Sequence, residues 1–205
     1  YVEGGDITEG TSWQYTWYVP HDVPGLIALM GGKEPFVRKL DSLFVSRAEE
    51  SKGVDDIQGR IGEYWHGNEP SHHIAFLYCY AGEPWKTQKL VREIMKTQYG
   101  NKPNSLCGND DCGQMSAWYI FNAMGFYPVC PGSDGYAIGS PSVKKAVMSL
   151  SNGKTFTMIA EGLSARNVYV QSVRLNGTKW NVPFLPSDEL KNGGSIVFTM
   201  GPKPR

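Results

Sequence analysis

The chain has 205 residues, of which 40% are hydrophobic and 20% charged, and its 20 lysines and arginines balance 20 aspartates and glutamates. That composition excludes wholesale disorder, and zero net charge lacks the basic excess with which proteins grip nucleic-acid phosphates. No apolar run approaches the roughly 18 residues of a membrane-spanning helix, so neither nucleic acid nor a membrane span is expected. The 24 glycines imply many tight turns, and six Trp with eleven Tyr suit either sugar faces or a bulky core. The chain opens Tyr1-Val2-Glu3-Gly4-Gly5, without a methionine or leader, and reads as a piece of something longer.

An aromatic segment, Trp13 to Val19, stops at Pro20. Asp22 stands where an N-cap belongs, before a helix from Val23 to Met30 that Gly31-Gly32 ends. Phe36, Val37, Leu40, Leu43 and Phe44 recur at helical spacing, with Arg38 and Asp41 on the other face. Residues 46–68 form a long polar loop of the kind that carries function. A helix is predicted from Glu69-Pro70 to Cys79 and another from Pro84 to Tyr99. After a glycine-rich loop, Gln114 to Met124 is apolar nearly all round and should be well buried. Beyond Gly125 the pattern turns to short β-branched strands at 143–150, 155–160, 167–175 and 195–200, with Asn152-Gly153 and Asn176-Gly177 as hairpin turns. Helices first and strands after predict an α+β chain. The four cysteines (79, 107, 112 and 130) match no zinc or redox spacing. A Cys107–Cys112 disulfide is sterically allowed, with free buried thiols as the alternative.

The acids gather at three places. Glu9 precedes the aromatic segment, Glu69 stands at a helix start, and Asp110-Asp111 at another. In a bundle of hairpins these starts come to one rim, giving a carboxylate-lined pocket flanked by Trp13, Trp17, Trp65 and Trp118. Glycoside hydrolysis needs such a pair: one protonated carboxyl for the leaving oxygen and one carboxylate to activate water. An Asn-Glu pair beside glycine loops also suits a hard, oxygen-seeking cation such as Ca²⁺. Helix capping is the plainer reading of Glu69 and Asp111. His72 and His73 read as core histidines, whereas His66 on the polar loop should be more exposed and able to contact sugar. Trp65 is the best stacking candidate of the tryptophans.

The motifs themselves carry a resemblance. Trp13-Gln14-Tyr15-Thr16-Trp17-Tyr18-Val19-Pro20-His21-Asp22, His66-Gly67-Asn68-Glu69-Pro70-Ser71-His72-His73 and Gly108-Asn109-Asp110-Asp111-Cys112-Gly113-Gln114-Met115-Ser116 follow one another in that order. Together with Gly125-Phe126-Tyr127-Pro128, they resemble the signature segments of glycoside hydrolase family 92, the calcium-dependent exo-α-mannosidases. The resemblance implies a partial (α/α)6 toroid of paired antiparallel helices over residues 1–130, followed by a C-terminal antiparallel β module over 131–205. The N-terminal β-sandwich and the rest of the toroid are then missing partners, and the isolated piece is expected to be inactive.

The resemblance also implies roles. Glu9 is the general acid, with Glu3 a second choice, and Asp111 is the general base of an inverting hydrolysis. Their carboxyl groups should then stand about 6.5–9.5 Å apart across one pocket. Asn109 takes the place of a second, base-assisting carboxylate and is assigned to substrate with His66 and Trp65. Asn68 and Glu69 hold Ca²⁺. Mannose-containing glycans are the implied substrate, with N-glycan degradation in a bacterial periplasm, cell surface or secreted location. Relatives with α-1,2 specificity carry a glutamate after the motif histidine, where this chain has Gly67. Two alternatives compete: a non-catalytic carbohydrate-binding or structural remnant, and a calcium-free toroid glycosidase.

Overall fold

A computed structural model describes residues 7–47 and 58–205; Glu3 and residues 48–57 of the long loop lie outside the described residues. The helical part opens with α1 (Ser12–Tyr15), started by a capping box. The Thr11 hydroxyl accepts from the Trp13 amide at 3.1 Å, and Gln14 Oε1 accepts from the Thr11 amide at 2.8 Å, so two orphan donors are satisfied reciprocally. Helix α2 (Val23–Leu29) is capped by Asp22, which accepts from the Gly25 amide at 2.9 Å. Helix α3 (Lys33–Leu43) buries the predicted stripe of Phe36, Val37, Leu40 and Leu43. On its other face Arg38 is exposed, but Asp41 is engaged, accepting from Tyr78 Oη at 2.9 Å and Lys86 Nζ at 2.7 Å.

The hairpin β1 (Arg60–Ile61) and β2 (Tyr64–Trp65) follows. The single helix expected from residue 69 is instead three short pieces: 3-10 turns at Glu69–Ser71 and Ile74–Phe76, then α4 (Leu77–Ala81). Their i→i−3 bonds wind the chain more tightly than an α-helix. Consecutive histidines thereby serve different neighbours: His72 Nε2 lies 2.9 Å from the His66 carbonyl and His73 Nε2 lies 2.7 Å from that of Trp17. Helix α5 (Pro84–Thr97) and helix α6 (Gln114–Met124) complete this part. Helix α6 is expected to be well buried, and it is so on one side only. Trp118 is fully buried, yet Tyr119 and Ile120 are 38% and 58% exposed, leaving an apolar strip on the outside.

The sheets come next. β3 (Phe126–Tyr127), β4 (Gly135–Ile138) and β9 (Phe184–Pro186) form an antiparallel three-stranded sheet. The larger sheet has the order β5 (Lys145–Ser149), β6 (Thr155–Glu161), β10 (Gly194–Gly201), β7 (Tyr169–Leu175), β8 (Thr178–Trp180). Both Asn-Gly signals join hairpins, β5–β6 and β7–β8. Asn176 and Gly177 have φ of 50° and 80°, the left-handed pair that a type I′ turn requires. The module is not wholly antiparallel, however. β10 inserts between β6 and β7 and runs parallel to β6. A parallel neighbour needs a long crossover, and β7, β8, β9 and α7 (Ser187–Lys191) supply it.

Among the described residues two apolar cores result. One gathers Trp17, Phe36, Leu40, Phe76, Val91 and Trp118. The other gathers Phe126, Phe156, Met158, Ile196 and Phe198, and Phe121 of α6 packs against both. The four cysteines are free thiols; only Cys79 is buried, and Cys107 and Cys112 are not bridged.

Candidate active site

Three backbone segments converge. The first is the turn ahead of α1, where Glu9 sits at φ 54°. Its carbonyl accepts from Asn68 Nδ2 at 2.8 Å, and the Thr8 carbonyl accepts from Tyr15 Oη at 2.8 Å. The second is the segment leaving β2. His66 and Gly67 donate their amides to Gly59 and Gln58 at 3.0 and 3.1 Å, and Asn68 then turns the chain into the 3-10 wind. The third is the loop before α6.

The second and third segments touch backbone to backbone at two glycines. A Cβ on Gly67 would fall 2.6 Å from the Cys107 carbonyl oxygen, and one on Gly108 would fall 2.8 Å from that of Gly67. No side chain fits at either position, because the obstructing atoms are main chain. The close approach lays Asn68-Glu69 against the loop that carries Asp111.

Capping, the plain alternative for Glu69 and Asp111, belongs to their neighbours. Asn68 Oδ1 accepts from the Glu69 amide at 3.2 Å. Asp110 Oδ1 accepts from the Ser116 amide at 2.9 Å and the Ser116 hydroxyl at 2.8 Å. Neither Glu69 nor Asp111 is thus the capping side chain. Asp111 and Cys112 occupy left-handed backbone, at φ 45° and 57°, a conformation costing L-residues roughly 1–2 kcal/mol each. Among the described residues four non-glycine positions have positive φ: Glu9, Asp111, Cys112 and Asn176. Setting aside the hairpin Asn176, the strain sits at Glu9, Asp111 and Cys112. Strain of this kind persists only where the surroundings over-determine it, and it clusters at functional sites.

Electrostatics tie the three segments together. The Glu69 carboxyl is raised above the usual carboxylate range, first by burial and then by its hydrogen bond to Asp111 and the charges of Asp111 and Glu9, against the lowering effect of its own amide. Crowded carboxylates of this kind hold a proton or attract a cation. Glu9, Asp111 and Asn109 are exposed and Glu69 partly so. The rim therefore faces outward from this chain; of the tryptophans expected to flank it, Trp17, Trp65 and Trp118 are fully buried and Trp13 partly so.

The expected exposure of His66 is not found. It is completely buried, as is Trp65. Neighbours within this chain already cover both side chains, so neither presents a face to a sugar. Arg60 pairs with Trp65 across the hairpin and sets its guanidinium 4.6 Å from the indole centroid. His66 lies 2.8 Å from Tyr64 Oη through Nδ1 and 2.7 Å from Tyr99 Oη through Nε2. Tyr99 donates its own proton to the Met115 carbonyl at 3.0 Å. His66 must then donate from Nε2 and accept at Nδ1. Burial, with His72 nearby, keeps it neutral by holding its pKa well below the ordinary histidine value. His66 is a buried brace between β2 and the first turn of α6. His72 and His73 are core histidines, as expected, and burial pushes His72 down to about 4.

Residues that sequence reasoning passed over complete the site. Gln114 Nε2 lies 3.2 Å from His72 Nδ1 and 3.3 Å from Tyr127 Oη. Gln14 Nε2 donates to the Glu63 carbonyl, fastening α1 to the β1–β2 turn. Both glutamines stood inside the motifs, so position was the available signal; their partners were not readable.

For a metal, Asn68 Oδ1 and the Glu69 carboxylate offer oxygen only, which suits a hard divalent ion. The mutual crowding of Glu69, Asp111 and Glu9 is the charge environment such an ion relieves. Among the described residues no three His, Cys, Asp or Glu side chains make a metal site unaided, so any further ligands would be water, substrate or other protein.

Comparison with known proteins gives one consistent answer. Residues 2–202 match the family described as glycosyl hydrolase family 92 catalytic domain. A family GH92 α-mannosidase of Bacteroides thetaiotaomicron, solved with mannoimidazole, is 50% identical, with a TM-score of 0.94 over 100% of this chain and 28% of that one. A family GH92 inverting mannosidase of Bacteroides thetaiotaomicron is 44% identical, with a TM-score of 0.83 over 96% of this chain and 28% of its own. An uncharacterized secreted glycosidase of Arthroderma benhamiae is 32% identical over 94% of this chain and 23% of its own length. The chain therefore spans under a third of the length of these relatives, and by the match across nearly all of its residues it belongs to glycosyl hydrolase family 92.

Proposed function

We propose that this chain carries the acid, base and cation-binding edge of an inverting exo-α-mannosidase that removes terminal mannose from glycans. The observation that supports the reading is the meeting of Glu9 and Asp111, distant in sequence and both in left-handed backbone, on the shared Asn68-Glu69 segment. Inverting hydrolysis has a fixed proton account. Glu9, as a carboxylic acid, protonates the departing glycosidic oxygen while Asp111 takes a proton from the water attacking the anomeric carbon from the opposite face. Asp111 ends protonated and Glu9 ionised, and exchange with solvent resets both. Asn109, which is exposed, is assigned to the sugar; buried His66 and Trp65 act by bracing the segment that holds Asn68.

Ca²⁺ fits Asn68 and Glu69, and when bound it supplies a positive centre for vicinal sugar hydroxyls. We further propose that residues 1–130 are the end of an (α/α)6 toroid, that 131–205 are a C-terminal β module, and that the remaining walls of the pocket come from the rest of a longer enzyme. The exposed Tyr119 and Ile120 on α6 support that reading. The secreted description of the fungal relative supports a secreted, periplasmic or cell-surface location, and no described helix is long and apolar enough to cross a membrane.

The test is metal removal. Full-length enzyme containing this segment should lose at least about 90% of its α-mannosidase activity in excess chelator, because an oxygen-ligand site gives up its ion. Added Ca²⁺ should restore it. Unchanged turnover in chelator would favour the calcium-free toroid glycosidase.

A further inference from the structure

The base loop is strained, and the structure contains the device that holds it. His72 Nε2 is 2.9 Å from the His66 carbonyl oxygen, which can only accept, so Nε2 bears the proton and Nδ1 is a lone pair. That lone pair faces Gln114 Nε2 at 3.2 Å, and the second amide hydrogen reaches Tyr127 Oη at 3.3 Å. The orientation of the Gln114 carboxamide is thereby fixed, since its oxygen in the same place would meet the lone pair of Nδ1. The Gln114 amide donates to the Asp111 carbonyl at 3.2 Å. Trp118 Nε1 adds a second tie from α6, to the His72 carbonyl at 3.0 Å. One chain of bonds thus runs from the segment carrying Asn68-Glu69, through His72 and Gln114, to the backbone of Asp111.

We propose that Gln114 and His72 are positioning residues of the hydrolysis, holding the Asp111 loop in its left-handed conformation and in register with Asn68-Glu69. The proposal rests on Asp111 being the base. Neither side chain needs to touch substrate. Each acts through the loop, whose left-handed residues would relax toward ordinary backbone once the tie is cut. A displacement of about 1 Å at a reacting group costs roughly a hundredfold in rate, so a small relaxation is enough.

The experiment compares Gln114→Met, His72→Ala, their double variant and Asp111→Asn in the full-length enzyme with Ca²⁺ present, measuring kcat, KM on an aryl α-mannoside and Tm. Gln114→Met keeps the volume and removes both donors without adding charge. It should lower kcat by about 10–100-fold with KM nearly unchanged, as loss of positioning requires. His72→Ala should do the same, and the double variant should be no worse than the poorer single within about threefold, because both cut one tie. Should His72→Ala fail to fold, Gln114→Met decides alone. Wild-type kcat in Gln114→Met, a raised KM at constant kcat, or multiplying losses in the double variant would overturn the proposal. If Asp111→Asn is inactive while Gln114→Met is unimpaired, positioning fails and the base assignment stands. If Asp111→Asn keeps wild-type turnover, both fall.

Discussion

Asp111→Asn in the full-length enzyme is expected to cut turnover of α-mannosides by about a thousandfold, the scale of a lost general base, while mannose binding stays within about threefold. The substitution is chosen for the backbone. Asp111 stands at φ 45°, and asparagine tolerates that region as well as aspartate does, so the loop keeps its shape and the change falls on the carboxylate, which accepts the proton and carries the charge beside Glu69. An alanine there would mix chemistry with strain. Binding is read by calorimetry with mannose and turnover by product release. A variant that turned over normally would remove Asp111 from the chemistry.

Glu9→Gln is expected to separate substrates by their leaving groups. On a natural mannose disaccharide, whose departing alcohol needs a proton, the loss should approach a thousandfold. On an aryl mannoside with an acidic phenol the acid matters little, and the loss should be smaller by roughly two orders of magnitude. The design is clean because Asn68 holds the Glu9 backbone carbonyl, a bond the glutamine retains. Equal damage on both substrates would show that Glu9 acts in binding or folding and is not the acid.

The stripe of Phe36, Val37, Leu40 and Leu43, the Asp22 cap and the two Asn-Gly hairpins were all legible in the sequence, because each is a local rule acting over a few residues. The parallel placement of β10 beside β6 was not, since its partner lies across a crossover that no local pattern encodes. Identifying which acid caps which helix also required coordinates: Asp110 and Asp111 are equivalent in composition, and only the hydrogen bonds to Ser116 distinguish them. His66 misled for a related reason. Its neighbours in sequence are polar and glycine-rich, but its burial is set by Tyr99 and Trp118, which come from distant segments. The exposed Tyr119 and Ile120 reversed the expectation for α6, because an apolar composition does not say which face of a helix its neighbours cover.

If Glu9 and Asp111 work as opposed acid and base through a water molecule, hydrolysis inverts the anomeric centre. Proton NMR of an α-mannoside mixed with the full-length enzyme resolves the anomeric signal of the first mannose released, before mutarotation. The first sugar released is expected to be β-mannose, the product of one displacement by water from the face opposite the leaving group. Release of α-mannose would mean two displacements and a covalent intermediate, and would contradict the roles given to both residues.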